Sequence, residues 1–273
     1  MDQAIPTRAV SVVSTGAAAR EKVKSVVRVT AGNFLEMYDF MIYGYYATAI
    51  GRAFFPQGSE FASLMLSLAT FGAGFVMRPL GAVVLGAYVD AHGRRAGLIL
   101  TLGLMSIGTL SIALTPTYAA IGIAAPVLVV IGRLIQGLSA GVELGGVSVY
   151  LSEIATSGRK GFYVAWQSAS QQVAVVFAAL VGVALHRFLS NADVDAWGWR
   201  IPMLIGCLIV PVLVIIRRSL AETDAFVRRL HRPSMPDVMR SVAAHATLVL
   251  SGCMMVVLTT VAFYTITAYT PTF

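Results

Sequence analysis

An asparagine, two carboxylates and a tyrosine interrupt an apolar stretch near the start of the chain. They are Asn33, Glu36, Asp39 and Tyr43, within NFLEMYDFMIYG. On a helix Asn33, Glu36 and Tyr43 fall close to one face, with Asp39 at its flank. Two carboxylates three residues apart in a low dielectric repel each other, and a carboxyl held that way is suited to carry a proton. The other reading of this spacing is a pair of solvated carboxylates at a wet helix end. Further along, GRLIQGLSAGVELGG places Arg133, Gln136, Ala140 and Glu143 on one helix face. Arg133 is permanently charged and needs a carboxylate: Asp39, Glu36, Glu143 or an anionic solute. A third stretch, WQSASQQVA, sets Gln167 and Gln171 one turn apart, with Ser168 and Gln172 beside them. Such amides either tie helices together or line a cavity that hydrogen-bonds a polar solute.

The elements that carry these groups must be buried in something other than water. The chain has 273 residues, 57% of them hydrophobic and 12% charged, with a mean hydropathy of +0.78. An ordinary soluble domain is about 45–50% apolar and about 25% charged. So few charges cannot clothe a soluble protein of this size, which excludes a soluble enzyme, a disordered chain and a disulfide scaffold. Long continuous apolar runs, with no alternating pattern, exclude a barrel and predict membrane-spanning helices. Seven candidate spans lie at roughly 30–55, 62–88, 97–115, 119–150, 162–186, 200–216 and 242–270. The fourth is long for one straight span, and Pro126 suggests a kink in it. Gly137, Gly141 and Gly145 repeat every four residues there and would let a second helix approach closely. The fold class is all-α, a polytopic transmembrane bundle.

The net charge of +7 follows from topology rather than from a nucleic-acid partner. Arg8, Arg20, Lys22, Lys24 and Arg28 precede the first span, and Arg94, Arg95, Arg159 and Lys160 lie in the loops after spans two and four. Arg217, Arg218, Arg228, Arg229, Arg232 and Arg240 follow span six. All of these fall on one side, against Arg52, Arg187 and Arg200 on the other, with Arg78 and Arg133 inside spans. The positive-inside rule then puts the N-terminus in the cytoplasm of a cell whose inner membrane holds the protein. The expected organisation is a cytoplasmic tail at 1–28, a six-helix bundle at 29–216, a cytoplasmic linker at 217–240 and a seventh helix at 241–273. The linker has amphipathic character from Leu220 to Leu230 and is broken at Pro233 and Pro236. The tail lacks the short apolar core and small-residue cleavage site of a signal peptide. Cys207 and Cys253 read as small buried hydrophobes, and His92, His186, His231 and His245 are scattered. No metal or cofactor is expected. With no nucleophile elbow and no phosphate loop either, neither is an enzyme.

RPLGAVVLGAYVDAHGRR, from Arg78 to Arg95, lies between spans two and three. It resembles the loop signature of the major facilitator superfamily, with Gly86, Asp90, Gly93, Arg94 and Arg95 in place. IQGLSAGVELGGVSVYLSEIATSGRK resembles the superfamily's sugar-transporter-type signature, through Gly137, Gly141, Tyr150, Glu153 and Lys160. NFLEMYDF looks like the metabolite:proton symporter branch, most like citrate–proton symporters, with tricarballylate carriers close by. The resemblance implies a proton-coupled symporter that takes up a di- or tricarboxylate by alternating access. It matches Asp39 with a coupling carboxylate, Arg133 with its arginine partner and Gln167 with a substrate-contacting glutamine. Asn33, Tyr43, Gln136, Glu143 and Gln171 complete the expected substrate set, with Glu36 beside Asp39 for the proton. Arg78, Gly86, Asp90, Gly93, Arg94 and Arg95 form the expected conformational latch. In the residues themselves, Gly81 and Gly86 permit close helix contact. Asp90 can accept from the backbone at a helix N-terminus or pair with Arg78 or Arg94. The superfamily has twelve spans, so the chain reads as a first half plus one helix, apparently truncated, which needs a C-terminal half for transport. The competing expectations are a non-transporting membrane remnant or partner protein, or a carrier of tricarballylate, a dicarboxylate, proline or betaine. One arginine is thin provision for three carboxylates, so the seventh span, around Tyr264, Tyr269 and Thr270, is expected to add to the site.

Overall fold

A computed structural model describes residues 10–56, 58–220, 222, 235–266 and 270. The long helices are α1 (Val10–Tyr45), α3 (Glu60–His92), α4 (Arg94–Leu114), α6 (Ala124–Ile154), α7 (Lys160–Phe188), α9 (Arg200–Arg218) and α11 (Ala246–Tyr264). Shorter pieces join them: α2 (Ala47–Phe54), α5 (Tyr118–Ile121), α8 (Asn191–Asp193), a π-helical turn at Val194–Gly198, and α10 (Met235–Ala244). Six of these helices are long and apolar enough to cross a membrane. The exception is α1, whose Asn33, Glu36, Asp39 and tyrosines lower its apolarity.

Helix α6 is the hub, packed on α3 along one side and on α4 along the other, while α1 lies against α7 and α9. The α3–α6 contact is made by backbone. A Cβ on Gly137 would overlap the Gly74 carbonyl, one on Gly141 the Arg78 carbonyl, and one on Gly81 the Leu138 carbonyl. Gly86 meets only the Val142 side chain, at an ordinary 3.6 Å, and Gly145 faces open space. The small-residue stripe is therefore a contact for two of its three glycines. Leu85, Val89 and Val142 pack beside it, while Tyr38, Met41, Ile42, Phe54, Trp199 and Met203 belong to the main core. Val173, Val176, Leu180 and Val183 of α7 stay exposed, as a lipid-facing surface requires.

Several expectations change. The long fourth candidate divides into α5 and α6 at a turn through Gly122, which has a positive φ. Pro126 therefore sits in the first turn of α6, where its missing N–H costs nothing, and does not kink it. The segment read as a tail is helical from Val10 onward. Cys253 is exposed rather than buried. Arg217, counted among the loop charges, is 0% exposed inside α9. Arg8, Gln57, Arg228, Arg229, Arg232, Pro233, Tyr269 and most of the amphipathic linker stretch lie outside the described residues.

Candidate functional site

The centre of the bundle is a hydrogen-bonded chain from three helices. Asp39 of α1 accepts from the Thr109 hydroxyl of α4 at 2.9 Å and from the Gln136 amide of α6 at 2.6 Å. Gln136 also donates to Thr109 at 2.8 Å and accepts from Arg133 Nη1 at 2.6 Å. Arg133 Nη1 stands 3.8 Å from Asp39, so Gln136 bridges a carboxylate and a guanidinium that do not touch. The Arg133 guanidinium lies 4.2 Å from the Tyr43 ring centre and 4.9 Å from those of Phe40 and Phe71. It is 1% exposed, yet its Nε and Nη2 have no hydrogen-bond partner. Buried donors are nearly always satisfied, so unpartnered ones on a permanent cation mark a place where an acceptor fits.

Glu36, one turn from Asp39, belongs to a different arginine. Its Oε1 is 3.7 Å from Arg78 Nη2, while its Oε2 is buried without a partner. Arg78 lies between two rings, 4.5 Å from Phe40 and 4.4 Å from Phe75. The structure therefore moves Arg78 out of the loop latch and into the middle of the bundle. Glu143 departs further from expectation. Its carboxylate is in direct contact with Arg217, accepts from Thr101 at 2.6 Å, and makes no pair with Arg133. Arg217 also donates to the carbonyls of Leu98 and Val29, tying α9 to α1, α4 and α6. Gly32 lies against this guanidinium, and a Cβ there would overlap it.

The amides meet one another. Asn33 donates to the Gln167 carbonyl at 2.8 Å and to the Ser170 hydroxyl at 2.9 Å. Its own oxygen accepts from Gln167 at 3.4 Å and from Gln171 at 3.5 Å. In this arrangement they join α1 to α7. Tyr43 donates to the Ser67 carbonyl at 3.3 Å and stacks on Phe71. Two cavities of about 580 Å³ flank the bundle. One is an apolar groove between α1, α7 and α9, and the other lies between α3 and α11 and is lined by Phe71, Phe75 and Tyr264. No group of three or more metal-binding side chains occurs among the described residues.

At the α3–α4 turn, Arg94 pairs with Asp90 at 2.9 Å and with Glu153 at 3.5 Å. Asp90 lies twelve residues from Arg78 on the same helix, about 18 Å along it, too far to pair. Glu222 caps α4, accepting from the backbone N–H groups of Arg94 and Arg95 at 2.9 Å each. A carboxylate at that end also meets the positive pole of the helix dipole. Gly93 has φ +114°, and a Cβ there would come within 2.6 Å of Glu222 Oε1. The sequence reading missed Thr109, Arg217 and Glu222. A lone threonine in an apolar span and an arginine in a basic run carry no signal of their own, and Glu222 is hidden in a polar linker.

Residues 24–232 match the family described as Sugar (and other) transporter. The chain belongs to that family. It is 59% identical over 249 residues to the citrate-proton symporter of Salmonella typhi, which covers 91% of this chain and 57% of the relative. Identity to the citrate-proton symporter of Klebsiella pneumoniae is 56% over 271 residues, 99% of this chain and 61% of the relative. The chain thus spans about three fifths of the length of these curated relatives. Its fold resembles the major facilitator proton:xylose symporter XylE, with a TM-score of 0.69 and 19% identity, over 77% of this chain and 46% of that one. The superfamily read from the two loop signatures is the one found, and the chain is a multi-pass membrane protein of a transporter family.

Proposed function

We propose that the protein works in proton-coupled uptake of a di- or tricarboxylate, with citrate first among them, across the inner membrane. Support comes from the two citrate-proton symporters and from the Asp39–Gln136–Arg133 chain, the observation that carries the reading. In the empty site, ionised Asp39 holds Arg133 through Gln136. Protonating Asp39 removes that hold and frees Arg133 for a substrate carboxylate. A carboxylate on Arg133, in turn, leaves Asp39 without its counter-charge, so that proton and anion favour each other's binding, as symport requires. Residues 29–216 act as one bundle that rocks against a second in alternating access, with the N-terminus cytoplasmic. The Asp90–Arg94–Glu153 group and Glu222 close the cytoplasmic side in one state.

The test is uptake of labelled citrate by cells expressing the full coding region, with and without a protonophore. Accumulation should collapse with the gradient, and uptake indifferent to the protonophore sinks the reading. Asp39→Asn mimics the protonated form, so it should exchange citrate across the membrane but no longer concentrate it. Concentration against a gradient by that variant removes Asp39 from coupling. For orientation, single cysteines near Arg94 and Arg159 should resist an impermeant thiol reagent in intact cells.

A further inference from the structure

Arg78 and Arg133 share one aromatic shelf. Both guanidinium groups lie against the Phe40 ring, at 4.5 and 4.9 Å from its centre, and they repel each other electrostatically. Two cations on one ring can be no farther apart than the sum of those distances, a span that a short-chain polycarboxylate bridges. Their backbones are locked: the Arg133 carbonyl is 3.2 Å from where a Gly74 Cβ would stand, and the Arg78 carbonyl touches Gly141. The two counter-ions stand off at 3.7 and 3.8 Å, beyond direct hydrogen-bonding reach. Arg133 Nε and Nη2, Arg78 Nε and Glu36 Oε2 are all buried without a hydrogen-bond partner. The Glu143–Arg217 pair, by contrast, is in direct contact and leaves only Arg217 Nε over. Arg78 keeps 24% of its side chain accessible and rests on Phe75, which lines the cavity between α3 and α11.

We infer that Arg78 and Arg133 form a two-cation subsite that selects anions carrying at least two carboxylates, with Glu36 and Asp39 as internal stand-ins when it is empty. This rests on the carboxylate reading above and adds to it the residue that sets how many carboxylates are required. Each arginine offers its spare N–H donors to one carboxylate, and Glu36 is displaced from Arg78 as Asp39 is from Arg133. A monocarboxylate can engage only one cation.

The experiment measures uptake and competition by citrate, succinate and lactate in cells expressing the full coding region, with membrane abundance checked for each variant. Wild-type protein should favour citrate and succinate over lactate. Arg78→Gln should weaken citrate and succinate by about tenfold or more, the scale of a lost charge-assisted hydrogen bond, while lactate changes less than twofold. Arg78→Lys keeps the charge without the fork, so it should preserve the ranking with a smaller gap; it carries the test if Arg78→Gln does not reach the membrane. Glu36→Gln removes the internal competitor and should tighten citrate binding. Equal loss for all three solutes in Arg78→Gln, no loss for citrate, or a Glu36→Gln variant as weak as Arg78→Gln would overturn the inference. Wild-type protein that takes up none of the three anions fails the carboxylate reading itself, and this inference with it.

Discussion

Two ion-pair regions lie in one bundle, and they are built in opposite ways. Glu143 and Arg217 touch, and apart from Arg217 Nε their polar atoms are bonded to each other, to Thr101 or to the carbonyls of Leu98 and Val29. Around Phe40, two arginines stand off from two carboxylates and keep unused donors. Both regions bury charge, which is expensive unless the charges are paired and hydrogen-bonded. The satisfied region has no reason to move, because any rearrangement strands a charge. The unsatisfied one would gain hydrogen bonds from an anion. The difference teaches that equal burial can hold charges in two ways, one nearly saturated with partners and one with several donors to spare.

The strongest way to break this comparison is Glu143→Ala. It leaves Arg217 uncompensated at full burial, so the purified protein should lose about 3–5 kcal/mol of stability, read as a drop in thermal midpoint in detergent. A midpoint within a degree or two of wild type would show that the tight pair does not hold α9 to its neighbours. Next comes Gly93→Ala at the α3–α4 turn, where the +114° φ and the Glu222 carboxylate both oppose a Cβ. About 1–3 kcal/mol should be lost, with weaker closure of the cytoplasmic side and slower uptake. An alanine there with wild-type melting and uptake would mean that Glu222 does not need its seat. Asp39→Asn should cost less, about 1 kcal/mol, because Arg133 stands 3.8 Å off and keeps the Phe40, Tyr43 and Phe71 rings, while the amide oxygen still accepts from Thr109 or Gln136. A loss as large as that of Glu143→Ala would place Asp39 among the structural charges. Smallest is Gly145→Ala. No atom lies within 4 Å of its Cβ position, so stability should change by only a few tenths of a kcal/mol, toward greater stability if at all. The same substitution at Gly137 would strike the Gly74 backbone, so a comparable effect at both sites would refute the close α3–α6 contact.

How much of this was legible shows in particular helices. The apolar runs of α3, α4, α7 and α9 mark their own spans to within a few residues, because a lipid-facing helix must be apolar along its whole length. Helix α1 breaks that rule, since its C-terminal half is enclosed by protein, where neighbours hydrogen-bond Asn33 and Asp39 and Arg78 faces Glu36. Its polar residues were visible as candidates for chemistry for the same reason that they lower its apolarity. Helix α11 is the converse, apolar and exposed along nearly all its length, with Tyr264 reaching Phe71 and Phe75 at one end.

The sequence by itself determined that the protein is a helical membrane bundle and which residues carry charge or amides at depth. Those follow from composition and from the energy of putting polar groups in lipid, both of which are local. It also carried the family, because the loop signatures are short and contiguous. Which arginine meets which carboxylate was decided by the tertiary structure alone. Helical spacing puts Glu36 and Asp39 near each other on α1, but the crossing of α3, α4 and α6 sends one to Arg78 and the other to Arg133. The packing of α9 on α1 and α4 gives Glu143 to Arg217, 74 residues away. Pairing depends on how helix axes cross and rotate against one another, and that is set by glycine contacts and core packing between segments far apart in the chain.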